Sequence, residues 1–399
     1  MEQQLPTGAR ALVLAMQTPS PKGHIGIPTL IWGRPGVGKS SFVEALAKGD
    51  FPVLTLIASI HDPTDFSGLP VFTDGKVHYA RPEWLDYFAE KQQGILFLDE
   101  LTTAPPAVQA ALLRVVLERK VGFFPLPDHV RVIAAANPPD MMTGGWDLSP
   151  PLRNRFVHLQ WDLPMDVYLA GMTNGFAKPD LPKISIAQHS ILMDNWKLKI
   201  AAFLRQMPDA LHGDMEENEY AFASPRSWEY LAALLATCEI EGEAPMPETT
   251  ASTACLDLVR GCIGEGLAVA FVSFLLELRL PDPGEVLTQK IQINLPQFND
   301  SEVFVFFGAL GHYLERHFNH EKLVDLATVY FSLVQTIFSD ARRDVIYPSL
   351  KYICQKGLLT KTLSHAQRRS SEDKAAVLAA IQSLFVDEGL NDFIDVFES

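Results

Sequence analysis

The stretch Gly33-Arg34-Pro35-Gly36-Val37-Gly38-Lys39-Ser40 satisfies the pattern G-x-x-x-x-G-K-[ST] at every fixed position. Its glycines allow the backbone to curl until several N–H groups point at one anion, which is how such a loop holds phosphate. The apolar segment Thr29–Trp32 precedes the loop as a predicted strand, and residues 41–48 follow it with the apolar spacing of a helix. A glycine-rich turn that binds no ligand would not need a strand before it and a helix after it. The stretch therefore predicts a nucleotide site whose phosphates contact the quoted residues and Ser41.

Two side chains at the end of this loop carry the expected chemistry. A lysine at the position of Lys39 reaches the β- and γ-phosphates of a nucleotide, and the hydroxyl of Ser40 ligates Mg²⁺. The chain contains no N-K-x-D sequence, which reads guanine in GTPases. The expected cofactors are therefore ATP and Mg²⁺.

Two acidic residues follow the next strongly apolar segment. Asp99 and Glu100 come directly after Ile95-Leu96-Phe97-Leu98, a run that indicates a strand buried on both faces. The carboxyl end of such a strand is where α/β sheets bind ligands. We expect Asp99 to hold Mg²⁺ through water and Glu100 to polarise the attacking water. A solvated acidic turn is the alternative, but the position after a complete phosphate loop favours the catalytic interpretation.

Asn137 ends a second buried strand, predicted over residues 130–136. An amide at this strand tip lies beside the two acids and can touch the γ-phosphate or position water. The alternative is a turn-forming asparagine before Pro138, and from the residue alone that alternative is favoured.

The composition limits size and partners. The chain has 399 residues, enough for two or three domains, and 47% of them are hydrophobic. The 33 basic and 48 acidic residues give a net charge of −15, and no run is rich in Lys and Arg. Because nucleic-acid binding proteins carry a basic face, this balance disfavours nucleic acid as a partner.

Cysteine usage and the apolar segments bear on the compartment. Four cysteines without a C-x-x-C pair indicate reduced thiols and a cytoplasmic protein. The first residues lack the basic and apolar regions of a signal peptide. The most apolar stretch, residues 266–276, is shorter than the about 20 residues that cross a bilayer, so we expect a buried helix and no membrane partner.

The chain changes character twice. Residues 1–163 alternate predicted strands and helices, which indicates an α/β nucleotide-binding core. Residues 164–280 read as helices and polar loops, and Pro281-Asp282-Pro283-Gly284 marks a boundary. Residues 281–399 are predicted to be helical, with an apolar stripe over residues 321–338 and no catalytic constellation. We expect this last part to serve partner or client recognition.

Two hairpins are predicted within the core. One spans residues 71–79 around Asp74-Gly75, a pair that tolerates the positive φ of a tight turn. The other spans residues 121–128 and carries Phe123 and Phe124. Adjacent aromatic residues at a hairpin tip are costly to expose without purpose, although one of them can pack inward.

In this order, the phosphate loop, Asp99-Glu100, Asn137, Arg155 and Arg226 resemble the AAA+ ATPases over about residues 1–280. The two hairpins and the Ser224-Pro225-Arg226 start of a later helix resemble the MoxR-type branch. The resemblance implies an α/β fold, a five-stranded parallel sheet between helices, followed by an all-α lid. The helical extension after residue 280 departs from the simplest members of this family.

The resemblance also implies residue roles. Asn137 takes the place of sensor 1, and Arg226 that of the lid arginine that touches the γ-phosphate of its own subunit. Arg155 matches the arginine finger that enters a neighbour's site, with Arg153 as the second candidate. A planar, permanently charged donor stabilises the charge that develops during phosphoryl transfer. A surface ion pair is the alternative for each arginine.

The partners and the competing functions follow from the same resemblance. Family members form rings, commonly hexamers, that bind ATP between subunits and remodel protein clients with a von Willebrand factor A domain partner. A nucleotide-controlled assembly scaffold is an alternative, although it would need neither Glu100 nor Arg155. A nucleic-acid translocase or loader is a further alternative, which the acidic composition disfavours.

Overall fold

The computed structural model describes the chain in seven ranges, which are residues 5–49, 51–141, 145–213, 220–245, 251–317, 322–339 and 342–385. The chain divides into two compact units. Met1–Trp196 and Met207–Leu275 form the first, and Lys197–Gln206 and Leu276–Ser399 form the second. The division after Leu275 lies near the boundary expected at residue 281, whereas the expected division between core and lid at residue 163 stays a prediction.

The described strands all lie in the first unit. They are β1 (Thr29–Trp32), β2 (Val53–Ile57), β3 (Leu69–Thr73), β4 (Lys76–Ala80), β5 (Gln93–Asp99), β6 (Lys120–Val121), β7 (Phe124–Pro125), β8 (His129–Ala136) and β9 (Val157–Gln160).

The described helices follow the chain through both units. They are α1 (Ala9–Gln17), α2 (Lys39–Ala45), α3 (Pro63–Ser67), α4 (Glu83–Ala89), α5 (Pro106–Glu118), α6 (Pro150–Arg153), α7 (Met165–Asn174), α8 (Ile186–Gln206), α9 (Pro225–Ile240), α10 (Thr253–Ile263), α11 (Glu265–Glu277), α12 (Pro283–Leu287), α13 (Asp300–Arg316), α14 (Leu323–Ser339), α15 (Arg343–Gln355), α16 (Leu358–Arg369) and α17 (Ser371–Phe385).

A five-stranded parallel sheet forms the centre of the first unit, in the order β2-β5-β8-β1-β9. Every residue of β1 is buried, and so is every residue of β8 after His129. Strands buried on both faces read as continuous apolar runs, which is why their positions were evident in the sequence. The predicted α/β sheet is confirmed.

The parallel register places the carboxyl ends of β1, β5 and β8 at one edge of the sheet. Leu98 pairs with Ala134, and Trp32 pairs with Ala136. The phosphate loop, Asp99-Glu100 and Asn137 follow these three strands directly. The edge that the sequence predicted for a ligand is therefore assembled from three consecutive neighbours in the sheet.

Three elements differ from the sequence prediction. The polar composition of residues 61–68 predicts a loop, but α3 lies there, with Pro63 in its first turn and a capping box between Asp62 and Asp65. That capping signal was present in the sequence and outweighed the polar composition. The sequence predicts a helix over residues 194–207, but α8 begins earlier, at Ile186. The helix predicted over residues 41–48 is α2, which ends at Ala45.

Helix α11 is only partly buried, which corrects the expectation for residues 266–276. Phe271, Phe274 and Leu275 are buried, whereas Val269 and Leu276 are exposed. The apolar residues of α11 surround the whole helix, so any packing on one side leaves others in solvent. No helix among the described residues is both long enough and apolar enough to span a bilayer.

The two predicted hairpins are present as β3–β4 and β6–β7. Asp74 and Gly75 both have positive φ, as the tight turn requires. The side chain of Phe123 is 65% exposed and contacts the Tyr79 ring edge-on, with 5.1 Å between ring centroids. Phe124 instead packs against the core of the first unit. The two adjacent phenylalanines therefore have different roles.

Helices α12 to α17 give the second unit a core of its own. The stripe expected over residues 321–338 is confirmed by Leu323, Ala327, Tyr330, Val334 and Ile337, all of which are buried. The last turns of α8 belong to the same unit, since a Cβ on Gly308 would meet the Leu198 side chain at 2.6 Å. A sequence boundary drawn at residue 281 could not reveal this contribution.

Candidate active site

The phosphate loop has the backbone that its glycines predict. Gly36 and Gly38 have φ values of 80° and 82°, in the left-handed region that side chains other than glycine rarely enter. A Cβ on Gly33 would lie 2.6 Å from the carbonyl oxygen of Trp161. The indole Nε1 of Trp161 also donates to the carbonyl of Val37 at 3.3 Å. The loop is therefore supported from behind by the residue that follows β9.

Lys39 lies across this loop. Its Nζ donates to the carbonyl oxygens of Gly33 at 2.5 Å and Arg34 at 3.1 Å, and to Oδ1 of Asn137 at 3.1 Å. Burial lowers the pKa of Lys39, and the negative charges of Asp99 and Glu100 counteract that effect. An ammonium group held by three neutral oxygens keeps its charge available for a phosphate.

Ser40 and Asp99 provide a pair of oxygen ligands. The hydroxyl of Ser40 donates to Oδ2 of Asp99 at 2.7 Å, and the other carboxylate oxygen accepts the backbone N–H of Glu100 at 2.9 Å. Mg²⁺ prefers oxygen ligands, and it is commonly held by one or two protein groups with phosphate and water completing the octahedron. The donor set therefore fits the magnesium ion that the sequence predicts.

Glu100 has an unusual backbone conformation. Its φ of 56° lies in the left-handed region, which costs a residue other than glycine roughly 1–3 kcal/mol. Its exposed carboxylate lies 3.5 Å from the hydroxyl of Ser59. Such strain persists where the surroundings fix it, and here it turns the side chain away from the path of β5. Glu100 therefore presents a carboxylate at the same edge as Lys39 and Asp99.

The candidate arginines lie together elsewhere in the first unit. Arg226 donates from Nη1 to Oδ1 of Asn154 at 3.1 Å, and Asn154 also accepts from the hydroxyl of Ser224 at 2.9 Å. Arg155 donates to the carbonyl of Pro151. Burial lowers the pKa of Arg155, and the nearby charge of Arg226 lowers it further. Two like charges are thus held side by side, and neither forms an ion pair within the described ranges.

Arg153, the second candidate for the arginine finger, lies at the end of α6. Its Nε is buried and has no hydrogen-bond partner among the described residues, and the same is true of Nε of Arg155. All three candidate arginines therefore lie close to one segment, residues 153–155, together with the start of α9.

This arginine segment leads into the amino end of β9, at the opposite edge of the sheet from the phosphate loop. Val157 donates its N–H to the carbonyl of Pro28, and it pairs with Thr29 at the start of β1. The phosphate loop begins after Trp32, at the other end of β1. Four residues of a strand span about 13 Å, so the arginines and the phosphate site lie on different edges.

A buried hydrogen-bond chain links these two edges. The indole Nε1 of Trp32 donates to Nδ1 of His158 at 2.9 Å, so the other ring nitrogen carries the proton and donates to the carbonyl of Arg153 at 2.9 Å. Burial lowers the pKa of His158 to about 4, which keeps the ring neutral near pH 7. Tyr220 stacks on the far side of Trp32, with 4.2 Å between centroids.

Sequence reasoning missed the supporting residues of this site. Asn154 was visible only as the residue between two arginines, and nothing in its neighbours predicts the contact with Arg226. In the sequence, His158 and Trp161 read as members of a fifth strand over residues 157–161, and a lone ring on an apolar strand is more often core than site. The contacts of His158 with Trp32 and of Trp161 with Val37 each join residues more than a hundred positions apart, which pattern alone does not reveal.

Comparisons with known proteins agree with this geometry. Residues 28–156 match the AAA domain of the dynein-related subfamily. The chain is 33% identical over 143 residues to the chaperone MoxR1 of Mycobacterium tuberculosis, covering 34% of this chain and 35% of that protein. It is 35% identical over 119 residues to the Psp operon transcriptional activator of Escherichia coli, covering 28% and 37%.

The matched region covers only about a third of the length of these curated relatives. A solved structure of a candidate ATPase from Cytophaga hutchinsonii aligns with 68% of this chain and 88% of its own, at 16% identity and a TM-score of 0.40. The family match spans the phosphate loop, Asp99-Glu100, Asn137 and Arg155. Residues 28–156 of the chain therefore match an AAA domain, and part of the chain is similar to a MoxR chaperone.

Proposed function

We propose that this protein hydrolyses ATP in the presence of Mg²⁺ and uses the cycle to remodel other proteins as a ring. The observation that carries the proposal is the linked geometry of the phosphate loop and the strand tips. Lys39 contacts Asn137, and Ser40 contacts Asp99, so groups that follow or end β1, β5 and β8 meet in pairs at the edge where we propose that the phosphates bind.

The nucleotide would bind with its phosphates in the loop formed by Gly33, Arg34, Pro35, Gly36, Val37, Gly38, Lys39, Ser40 and Ser41. Lys39 would exchange its contacts with the loop carbonyls for phosphate oxygens. Ser40 and Asp99 would hold Mg²⁺, which neutralises charge on the β- and γ-phosphates when bound.

Hydrolysis would use Glu100 and Asn137 at the same edge. Glu100 accepts a proton from the attacking water as the water oxygen bonds to the γ-phosphorus and the bond to the β-phosphate oxygen breaks. Asn137, already beside Lys39, positions that water or the γ-phosphate. The products are ADP and phosphate. The strained backbone of Glu100 supports this role, because strain at a strand tip is typical of residues held for function.

Negative charge develops on the γ-phosphate during hydrolysis, and Lys39 would neutralise only part of it. A second cation is therefore needed. Arg155 is the proposed donor, with Arg153 as the alternative, and it would come from a neighbouring copy. The contact of Arg226 with Asn154 favours a place for Arg226 beside Arg155, rather than on the nucleotide of its own subunit. Both arginines would then serve the site of the next copy.

The likeness to a MoxR chaperone supports protein remodelling as the use of this energy. We propose a hexameric ring, a partner with a von Willebrand factor A domain, and a protein client. The second unit, with its own helical core and no nucleotide motif in its sequence, would recognise the partner or client.

The proposal is tested by nucleotide affinity and steady-state hydrolysis of three variants. Lys39→Ala should lose affinity for Mg²⁺-ATP because the counter-charge for the phosphates is gone. Glu100→Gln should bind ATP normally, yet hydrolyse it about 100-fold more slowly or worse, since only the proton acceptor is removed. Glu90→Gln, an exposed carboxylate at the end of α4, is the matched control and should hydrolyse at the wild-type rate.

The outcomes separate the assignments. Wild-type hydrolysis by Glu100→Gln would refute the role of Glu100 while leaving nucleotide binding intact. A wild-type protein with no measurable affinity for Mg²⁺-ATP would refute the proposed function itself.

A further inference from the structure

Helix α7 exposes an apolar face. Met165, Tyr168, Leu169 and Met172 are 70%, 42%, 54% and 65% exposed, and they recur at positions i, i+3, i+4 and i+7. This is the spacing by which a helix normally buries one side in a core. Here the side that packs inward is the narrow one formed by Val167 and Gly171. The apolar face of α7, meaning these four exposed residues, therefore has no cover within the described chain.

Such a face is costly in a monomer. Each large apolar side chain left in water forgoes the stabilisation that burial would provide. Contiguous apolar patches on soluble proteins commonly mark protein contacts. The only charged residue of α7 is Asp166, so an uncharged surface is the fitting partner.

The position of α7 indicates which surface covers it. The helix begins four residues after Trp161, whose indole supports the phosphate loop through Val37. It therefore starts at the same edge of the sheet as Lys39 and Glu100. Arg155 lies at the other edge of the same chain, so the hydrolytic site is incomplete until a second copy approaches this edge.

Charge also favours a second copy as the occupant. Arg155 and Arg226 form a cationic pair without an acidic partner in the described residues, while Asp99 and Glu100 are acidic groups at the receiving edge. Two chains of net charge −15 repel each other at longer range. An apolar contact beside the local charge pairing would offset that repulsion.

We infer that the apolar face of α7 is the surface on which a second copy of this chain docks when its Arg155 enters the ATP site. The inference rests on the proposed function, and it specifies which surface holds the neighbouring copy. A protein client on the same face is the competing occupant.

The test compares assembly of the wild type with that of Leu169→Glu/Met172→Glu in Mg²⁺-ATP. Sedimentation over a concentration series should show that the midpoint of self-association rises at least tenfold in the variant. Affinity for a fluorescent ATP analogue should stay within twofold of the wild type, because the phosphate loop is unchanged. Val269→Glu, which places the same charge at an exposed apolar position on α11, should associate as the wild type does.

Two additions keep the result decisive if the double variant folds poorly. Met172→Ser removes one side chain without adding charge and should raise the midpoint about threefold. A photo-reactive phenylalanine analogue at Leu169 should cross-link purified protein to itself, giving a product of twice the chain mass in Mg²⁺-ATP.

Unchanged self-association of the folded variants would overturn the inference while leaving the ring in place. An equal loss of association in Val269→Glu would also overturn it, since the effect would then not belong to α7. A wild type that binds ATP but remains monomeric at every concentration would overturn the proposed ring and the inference together. Cross-linking only to an added unfolded protein such as casein would favour the client.

Discussion

The two edges of the central sheet differ in how their charged groups are satisfied. At the carboxyl edge, Lys39 contacts Asn137 and Ser40 contacts Asp99, so these polar groups are paired within one chain. At the amino edge, Arg155 lies beside a like charge, and its Nε has no partner within the described residues. Under the proposed function, the carboxyl edge would bind the phosphates, whereas the amino edge would donate a cation to the site of a second copy.

Under the proposed function, this difference means that binding and hydrolysis need different numbers of copies. One chain would supply the groups that hold ATP and polarise water. The cation that reaches the γ-phosphate from the side opposite Lys39 would come from a second copy, because Arg155 and Arg226 lie at the amino edge of their own chain. Binding should therefore depend on the carboxyl edge alone, and turnover should depend on both edges.

The largest effect that would test this comparison comes from Arg155→Ala. We expect turnover to fall about a thousand-fold, the scale typical of an arginine finger, while ATP affinity changes little. Mixing this variant with Glu100→Gln should restore part of the activity, because some interfaces then join an intact Glu100 to an intact Arg155. Steady-state hydrolysis at several mixing ratios measures the recovery.

The matched control is a mixture of Arg155→Ala with the double variant Glu100→Gln/Arg155→Ala, in which no site can receive Arg155. That mixture should stay inactive at every ratio. If the first mixture also stays inactive in rings shown to contain both subunits, Arg155 does not act between copies, and Arg153 becomes the residue to test.

A smaller effect concerns the hydrogen-bond chain between the edges. The pKa of His158 is about 4 in the folded protein and near 6.5 when unfolded, so the folded state favours the neutral ring. The stability that this contributes is fully present above pH 6.5 and is lost as the pH falls toward 4. Between pH 7 and 4.5 the loss from this one group amounts to about 2 kcal/mol.

His158→Gln tests this link, because an amide can also accept from Trp32 and donate to the carbonyl of Arg153. Urea unfolding at pH 7 and pH 4.5 should show a loss of unfolding free energy about 2 kcal/mol smaller in the variant than in the wild type. His24, whose pKa burial lowers to about 3, is present in both proteins and cancels from the difference. Equal losses would mean that protonation of His158 does not break the link.

The residues of the carboxyl edge could be predicted from the sequence because the features that place them there are local. The glycines that permit positive φ lie within the loop, and Asp99 and Asn137 each end a continuous apolar run. A residue that directly follows a strand of a parallel sheet must lie at the carboxyl edge of that sheet. Their proximity therefore follows from the order of residues and strands.

The amino edge depended on contacts that the sequence does not encode locally. Arg226 lies 72 positions from Asn154, and its hydrogen bond forms only because α9 starts beside the segment before β9. The exposed face of α7 was missed for a related reason. Its apolar spacing predicts a buried side, but which side of a helix packs is decided by the tertiary fold.

The smallest expected effect comes from substituting Phe123, a change that leaves the residues of both edges of the sheet intact. Phe123 belongs to the β6–β7 hairpin and contacts Tyr79 of the other hairpin, while the guanidinium of Arg114 lies 5.7 Å from its ring centre. Because the ring is largely exposed, Phe123→Ser should cost under about 1 kcal/mol of stability and keep basal hydrolysis within twofold. Phe124 is unsuitable for the same substitution, since it packs against the core.

If the joined hairpins contact a client, casein used as an unfolded probe should stimulate hydrolysis by the wild type, and Phe123→Ser should lose that stimulation. Val269→Ser, at an exposed apolar position on α11, is the control and should keep it. A Phe123→Ser protein that responds to casein like the wild type would remove the hairpins from client contact. A fall in basal hydrolysis would instead show that turnover depends on more than the two edges, because Phe123 touches neither the phosphate loop nor the arginine segment.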